Sequence, residues 1–193
     1  MSKILVISGH PDLQASQANK AILACLSEDL DDIAIRRLDA LYPDFRIDAA
    51  AEQQALLKAD VVVLQFPLFW YASPALLKQW LDVVFSYGFA YGTAGDKLKG
   101  KHLLLSITIG GPESAYSPLG PSHFHLEQFL RPLEQTAYYT GMHHHAPIVS
   151  YGMIDTPDAD TTAGSLPERA ADHGRRLLAR LRTLRTVREP ALA

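Results

Sequence analysis

The chain has 193 residues, 48% of them hydrophobic and 20% charged. That length and mix suit one folded domain spanning 1–193 and exclude a disordered or repetitive chain. The net charge of −3 gives no general attraction to nucleic acid or anionic membranes, and the single cysteine, Cys25, excludes an internal disulfide framework and fits a reducing cytoplasm.

Lys3 to Ser8 is aliphatic without alternation, the pattern of a strand buried on both faces of a parallel sheet. Its apolar run is too short for a signal-peptide core and lacks a small-residue cleavage site. A loop from Gly9 to Ala15 leads into a helix opening at Ser16, with Ile22, Leu23, Leu26 and Leu30 on one side. Ile33 to Leu38 alternates apolar and basic residues, as a strand near a sheet edge does. A loop, Asp39 to Asp48, precedes an alanine-rich helix from about Ala49 to Lys58.

Val61 to Phe66 reads as a second fully buried strand, followed by the loop Pro67 to Ser73 and a helix opening near Pro74. Ala59 to Leu77 is apolar enough to suggest a membrane span, but Gln65, Pro67, Ser73 and Pro74 interrupt it. An aromatic, glycine-punctuated segment (Phe85 to Gly100) leads to a strand at His102–Thr108. After Gly110-Gly111 come a helix at about Phe124–Tyr139 and a last strand near Ala146–Tyr151. A polar stretch containing Pro157 and Pro167 then gives way to a basic helix from Glu168 to about Thr186. Five strands alternating with helices predict an α/β fold, a doubly wound parallel sheet of order 2-1-3-4-5. In such a sheet ligands sit beyond the carboxyl ends of the strands, so the loops after the first, third and fourth strands are the candidate site.

Each loop has a functional and a plain reading. Ser16 is a good N-cap, and the backbone N–H groups of Gln17, Ala18 and Asn19 can receive a phosphate, with His10 as an added donor. A capped helix after an ordinary turn is the alternative. Pro67-Leu68-Phe69-Trp70-Tyr71 sets consecutive aromatics directly after a buried strand. That forms a wall for a flat heteroaromatic ring, or simply packs over the sheet end. In Thr108-Ile109-Gly110-Gly111 the paired glycines let backbone approach a ligand, or make a plain turn. What favours the functional readings is that the fold brings all three loops to one edge.

Together these stretches resemble the flavodoxin-like NAD(P)H:quinone oxidoreductases. That family includes mammalian quinone reductase and the ancillary proteins of glutathione-gated potassium efflux systems. The resemblance covers residues 3 to about 152. It rests on His10-Pro11 with Ser16 and Asn19, on the long block Pro67 to Asp82, and on Thr108 to Gly111. Leu41-Tyr42-Pro43-Asp44-Phe45 and Gly88-Phe89-Ala90-Tyr91 also fit, and Pro112 to Tyr116 with Leu130 to Leu133 is closest to the efflux-ancillary branch.

The resemblance implies a flavin, FMN or alternatively FAD, with NAD(P)H as co-substrate and a quinone-like acceptor. His10, Ser16, Gln17, Ala18 and Asn19 would hold its phosphate. Pro67, Leu68, Phe69, Trp70, Thr108, Ile109, Gly110 and Gly111 would hold its ring. Tyr116 and His123 would stabilise negative charge at the ring's pyrimidine edge, with Ser122 an alternative in the second register. Members are homodimers that share their sites, with Phe85 to Tyr91 contributing to the partner's pocket, and they work by ping-pong hydride transfer. The branch further implies a cytoplasmic regulatory subunit, bound to a potassium efflux antiporter at the inner membrane. A one-electron flavodoxin carrier is the remaining reading, disfavoured by the aromatic wall.

Other features carry less. Adjacent residues on a strand point to opposite faces, so His143-His144-His145 cannot all converge on one metal ion, and no metal site is expected. His123 and His125 are no better placed. Cys25 reads as a small core residue. Arg169, Arg175, Arg176, Arg180, Arg182, Arg185 and Arg188 read as a solvated basic face, or as a dock for an acidic partner.

Overall fold

The computed structural model describes residues 3–154 and 164–186. Its strands are β1 (Ile4–Ser8), β2 (Ile33–Arg37), β3 (Val61–Pro67), β4 (His102–Thr108), β5 (His143–His144) and β6 (Ile148–Ser150). Its helices are α1 (Gln17–Asp29), α2 (Leu38–Leu41), α3 (Ala49–Leu57), α4 (Ala75–Val84), α5 (Leu126–Tyr139) and α6 (Leu166–Thr186). All strand pairs are parallel, in the order β2-β1-β3-β4, with β5 and β6 both pairing β4. The expected order therefore holds, but the last position is divided. Ala146 to Tyr151 contributes only Ile148–Ser150, and the second segment at His143–His144 was not foreseen, because two residues are too few to carry a periodicity. Pro157 and Arg188 lie outside the described residues. No described helix is long and apolar enough to cross a membrane.

The unbroken apolar runs of β1, β3 and β4 follow from burial on both faces. Leu5, Ile7, Val62, Leu64, Leu103, Leu105 and Ile107 face α4 and α5, where Leu77, Trp80, Leu130 and Leu133 meet them. Ile4, Val6, Val61, Val63 and Leu104 face α1 and α6, meeting Ile22, Leu26, Leu177 and Leu181. Gly9 lets α4 approach, since a Cβ there would lie 2.9 Å from Leu77.

Polar anchors tie the helices to this sheet. Glu52 on α3 is fully buried and accepts hydrogen bonds from Tyr42 Oη at 2.6 Å, Trp80 Nε1 at 2.9 Å and Arg36 Nε at 2.9 Å. It thereby joins β2, α3 and α4 and leaves the carboxylate compensated. On the opposite face His173 of α6, also fully buried, sits 2.8 Å from Ser106 Oγ and 2.9 Å from Ser150 Oγ. At the amino edge Arg180 donates to His145 Nδ1 at 3.1 Å, so His145 carries its proton on Nε2, 2.8 Å from His102 Nδ1. The arginines of α6 are largely engaged within the chain. Arg175 and Arg176 pair with Asp172, Arg182 with Asp29 and Arg185 with Asp32, while Arg169 donates to the carbonyls of Gly152 and Gly164. This favours the solvated-face reading of that helix.

Burial pushes the His173 imidazole down to about 4, with nearby Arg176 acting in the same direction. A histidine with a folded pKa below its unfolded value stabilises the fold fully above about pH 6.5. That contribution is lost as pH falls from there toward 4, at a cost of about 3 kcal/mol. Urea midpoints measured across pH 7 to 4 should fall accordingly, with a shallower slope in His173→Gln. Identical slopes would mean that other groups govern this window.

Candidate active site at the carboxyl edge

The loop after β1 is shaped by hydrogen bonds within the chain. Asp12 Oδ1 accepts from Ala15 N at 3.2 Å, and Asp39 Oδ2 accepts from Leu13 N at 3.2 Å. His10 Nδ1 accepts the Asp12 N–H at 3.1 Å, which puts the neutral ring's proton on Nε2. Burial lowers the His10 pKa against the opposing pull of Asp12 and Asp39, favouring that neutral donor form. Ser16 caps α1 by accepting from Asn19 N at 3.2 Å. The expectation of three free N–H groups is therefore corrected. The cap takes that of Asn19, while Gln17 and Ala18 open the helix and have no helical carbonyl behind them.

The loop after β3 makes a tight turn that its composition does not announce. Phe69 and Ala72 exchange backbone hydrogen bonds at 3.0 Å, and the two central residues, Trp70 and Tyr71, have φ of 47° and 65°. Such a turn normally takes Asn and Gly, so its aromatic residues carry backbone strain of the kind that collects at functional sites. Trp70 stands 93% exposed. Tyr71 stacks on Phe129 at 4.9 Å, and Tyr116 meets Phe129 and Tyr151 at 6.1 and 5.7 Å. Burial raises the Tyr116 pKa, and Tyr71 adds to the effect, so its hydroxyl remains a proton donor.

Together the three loops enclose a cavity of about 850 Å³. It brings together His10, Ser16, Gln17, Ala18, Asn19, Pro67, Leu68, Phe69, Trp70, Thr108, Gly110, Gly111 and Tyr116. Two expected residues are absent from it. Ile109 is buried, its N–H donating to Ser150 O and its carbonyl accepting from Met153 N, because β4 still pairs with β6 there. His123 lies exposed in the following loop with φ of 58°, and no Ser122 contact replaces it. Sequence reading missed Ala15, Met153, Ile154 and Leu166, which also line the cavity. The last three come from the far end of the chain and carry no local signal.

The lining suits an elongated, flat ligand with an anionic end. Among the described residues no Asp or Glu lines the cavity, and the donors gather at the α1 end. Neither Gly110 nor Gly111 has a left-handed φ. A Cβ on either would meet the protein only at 3.7 Å or more, so internal packing does not require glycine, whereas close approach by a ligand would. These features fit a flavin nucleotide, its phosphate at α1 and its ring between the 67–70 and 108–111 loops.

Known proteins point the same way. The family model described as flavodoxin-like fold matches residues 2–174. The Bacillus subtilis (strain 168) protein named uncharacterized NAD(P)H oxidoreductase YrkL is 42% identical over 171 residues, covering 89% of this chain and 97% of that protein. The Enterobacter sp. (strain 638) glutathione-regulated potassium-efflux system ancillary protein KefF is 50% identical over 139 residues, 72% of this chain and 77% of that protein. A crystal structure of general stress protein 14 from Treponema denticola, in complex with FMN, superposes with a TM-score of 0.84 at 34% identity, covering 94% of this chain and 99% of that one.

Inorganic phosphate added to the apoprotein should bind at the α1 end and raise the His10 pKa, followed through its ring-proton NMR signal. Ser16→Ala should weaken that binding about tenfold, the loss of one hydrogen bond to a charged group. A His10 titration indifferent to phosphate would move the anion elsewhere.

Proposed function

The chain belongs to the flavodoxin-like fold family matched over residues 2–174, and on that premise we propose that it is an FMN-dependent NAD(P)H oxidoreductase that reduces quinones. The observation that carries this reading is the cavity itself, with anion donors at one end and apolar and aromatic walls at the other. FMN is favoured over FAD because the similar general stress protein 14 structure holds FMN. When bound, FMN supplies the atom that accepts hydride from the nicotinamide and passes it to the acceptor.

The residues of this chain do the binding and positioning. The N–H groups of Gln17 and Ala18, with His10 and Ser16, hold the phosphate through dipoles, since among the described residues no Lys or Arg lines the cavity. Pro67 to Trp70 and Gly110-Gly111 clasp the ring, and the protonated Tyr116 hydroxyl donates where negative charge gathers on reduction. Phe69 and Trp70 at the mouth offer apolar faces on which nicotinamide and quinone can stack in turn.

A homodimer is part of the proposal. An apolar groove of about 670 Å³ runs between α4 and α5, lined by Leu81, Phe85, Tyr91, Phe129, Leu133 and Tyr139. A second copy seated there would lie beside the aromatic segment Phe85 to Tyr91. Similarity to KefF supports a second role, regulation of a potassium efflux antiporter from the cytoplasmic side. This role is compatible with the first, and its test is capture of the antiporter's cytosolic domain by the purified protein.

Purified protein should be yellow, release FMN identified by mass, and give parallel double-reciprocal lines with NAD(P)H and a quinone. Tyr116→Phe should lower kcat/KM about tenfold at unchanged FMN content. Colourless protein that cannot be reconstituted with FMN sinks the reading.

A further inference from the structure

Gln65 is an anomaly in the sheet. The β3 strand is apolar from Val61 to Phe66 except at this position, where the amide is fully buried. Its side chain is not part of the cavity lining, and its Oε1 has no hydrogen-bond partner among the described residues. A buried polar group retained with one atom unpaired calls for a reason beyond packing.

Its other end supplies one. Gln65 Nε2 donates to Asn19 Oδ1. With that oxygen turned toward Gln65, Asn19 Nδ2 donates to Ser16 Oγ at 3.0 Å, while Thr108 Oγ1 lies within reach of both amide atoms, 3.1 Å from Nδ2 and 3.2 Å from Oδ1, where its hydroxyl is a second donor. Ser16 Oγ also accepts from Asn19 N at 3.2 Å. Both lone pairs of this oxygen are then occupied, so the Ser16 hydroxyl hydrogen can only be donated outward, into the cavity. Were the Asn19 amide reversed, its oxygen would draw that hydrogen inward and Ser16 would present no donor to an anion.

We propose that Gln65 is a positioning residue that sets the hydrogen-bond polarity of the phosphate cradle, orienting Asn19 so that Ser16 donates to the phosphate of the bound flavin nucleotide. This rests on the FMN reading above. Gln65 touches no part of the ligand. It acts through Asn19, and its effect is specific to the phosphate end.

The test compares FMN with riboflavin, which lacks the phosphate, by quenching of flavin fluorescence on the apoprotein. Gln65→Met keeps the volume and removes the donor, and Gln65→Leu serves as a second variant should the first be unstable. Either should bind riboflavin as the wild type does, which also reports correct folding, while its FMN affinity falls about tenfold, the worth of one hydrogen bond to a charged group. In a Ser16→Ala background the same substitution should cost nothing further, because the hydroxyl it orients is gone. Equal losses for both flavins, no loss for either, or an undiminished loss in the Ser16→Ala background would each overturn the assignment. A wild-type protein with no preference for FMN over riboflavin would overturn the proposed function along with it.

Discussion

One rung of the sheet governs the arrangement around it. Ser8, Gln65 and Ser106 are register partners across β1, β3 and β4, all fully buried and all on the face covered by α1 and α6. Every other pairing between these strands on that face is apolar until the carboxyl edge, apart from the half-buried His102 at the opposite end. Polar groups in a low-dielectric interior favour partners, and two of the three residues reach them on the helices, while Ser8 Oγ has none among the described residues. Gln65 reaches Asn19 of α1, and Ser106 reaches His173 of α6. The rung therefore sets where those helices sit, more sharply than non-directional apolar contact can.

That placement leads directly to the site. Asn19 is anchored by the rung and in turn engages Ser16 and Thr108, so the first turn of α1 and the end of β4 are coupled within the chain. The α1 end of the cavity is thus formed by helix and strand, whereas the opposite end is formed by loops. There the strained turn at Trp70 and Tyr71 is braced by Phe129 and Tyr116. Under the proposed function, donors fixed at one end and an aromatic mouth at the other suit a cofactor that stays and substrates that exchange.

Much of this was legible in the residues. Strands buried on both faces leave unbroken apolar runs, so β1, β3 and β4 were readable to within a residue of their ends. Ser16 read as a helix cap because the capping hydroxyl lies next to the helix it stabilises. The aromatic block and the paired glycines were readable as loops for the same reason, and the rule placing ligands at carboxyl ends brought them together. His123 lies outside the cavity lining, in an irregular loop whose register no periodicity constrains. Ile109 is kept from the cavity lining by its pairing with the end of β6 and the segment after it, about forty residues further along.

The sequence by itself determined the layer architecture, the strand order and the edge at which the candidate cavity lies, since these follow from local periodicity and chain connectivity. Only the tertiary structure decided the rest. It added Met153, Ile154 and Leu166 to the cavity, paired Glu52 with Trp80, and joined Gln65 to Asn19 across 46 positions. The physical reason is that a buried polar atom is satisfied by whatever the fold brings within about 3 Å, and that distance bears no relation to separation along the chain.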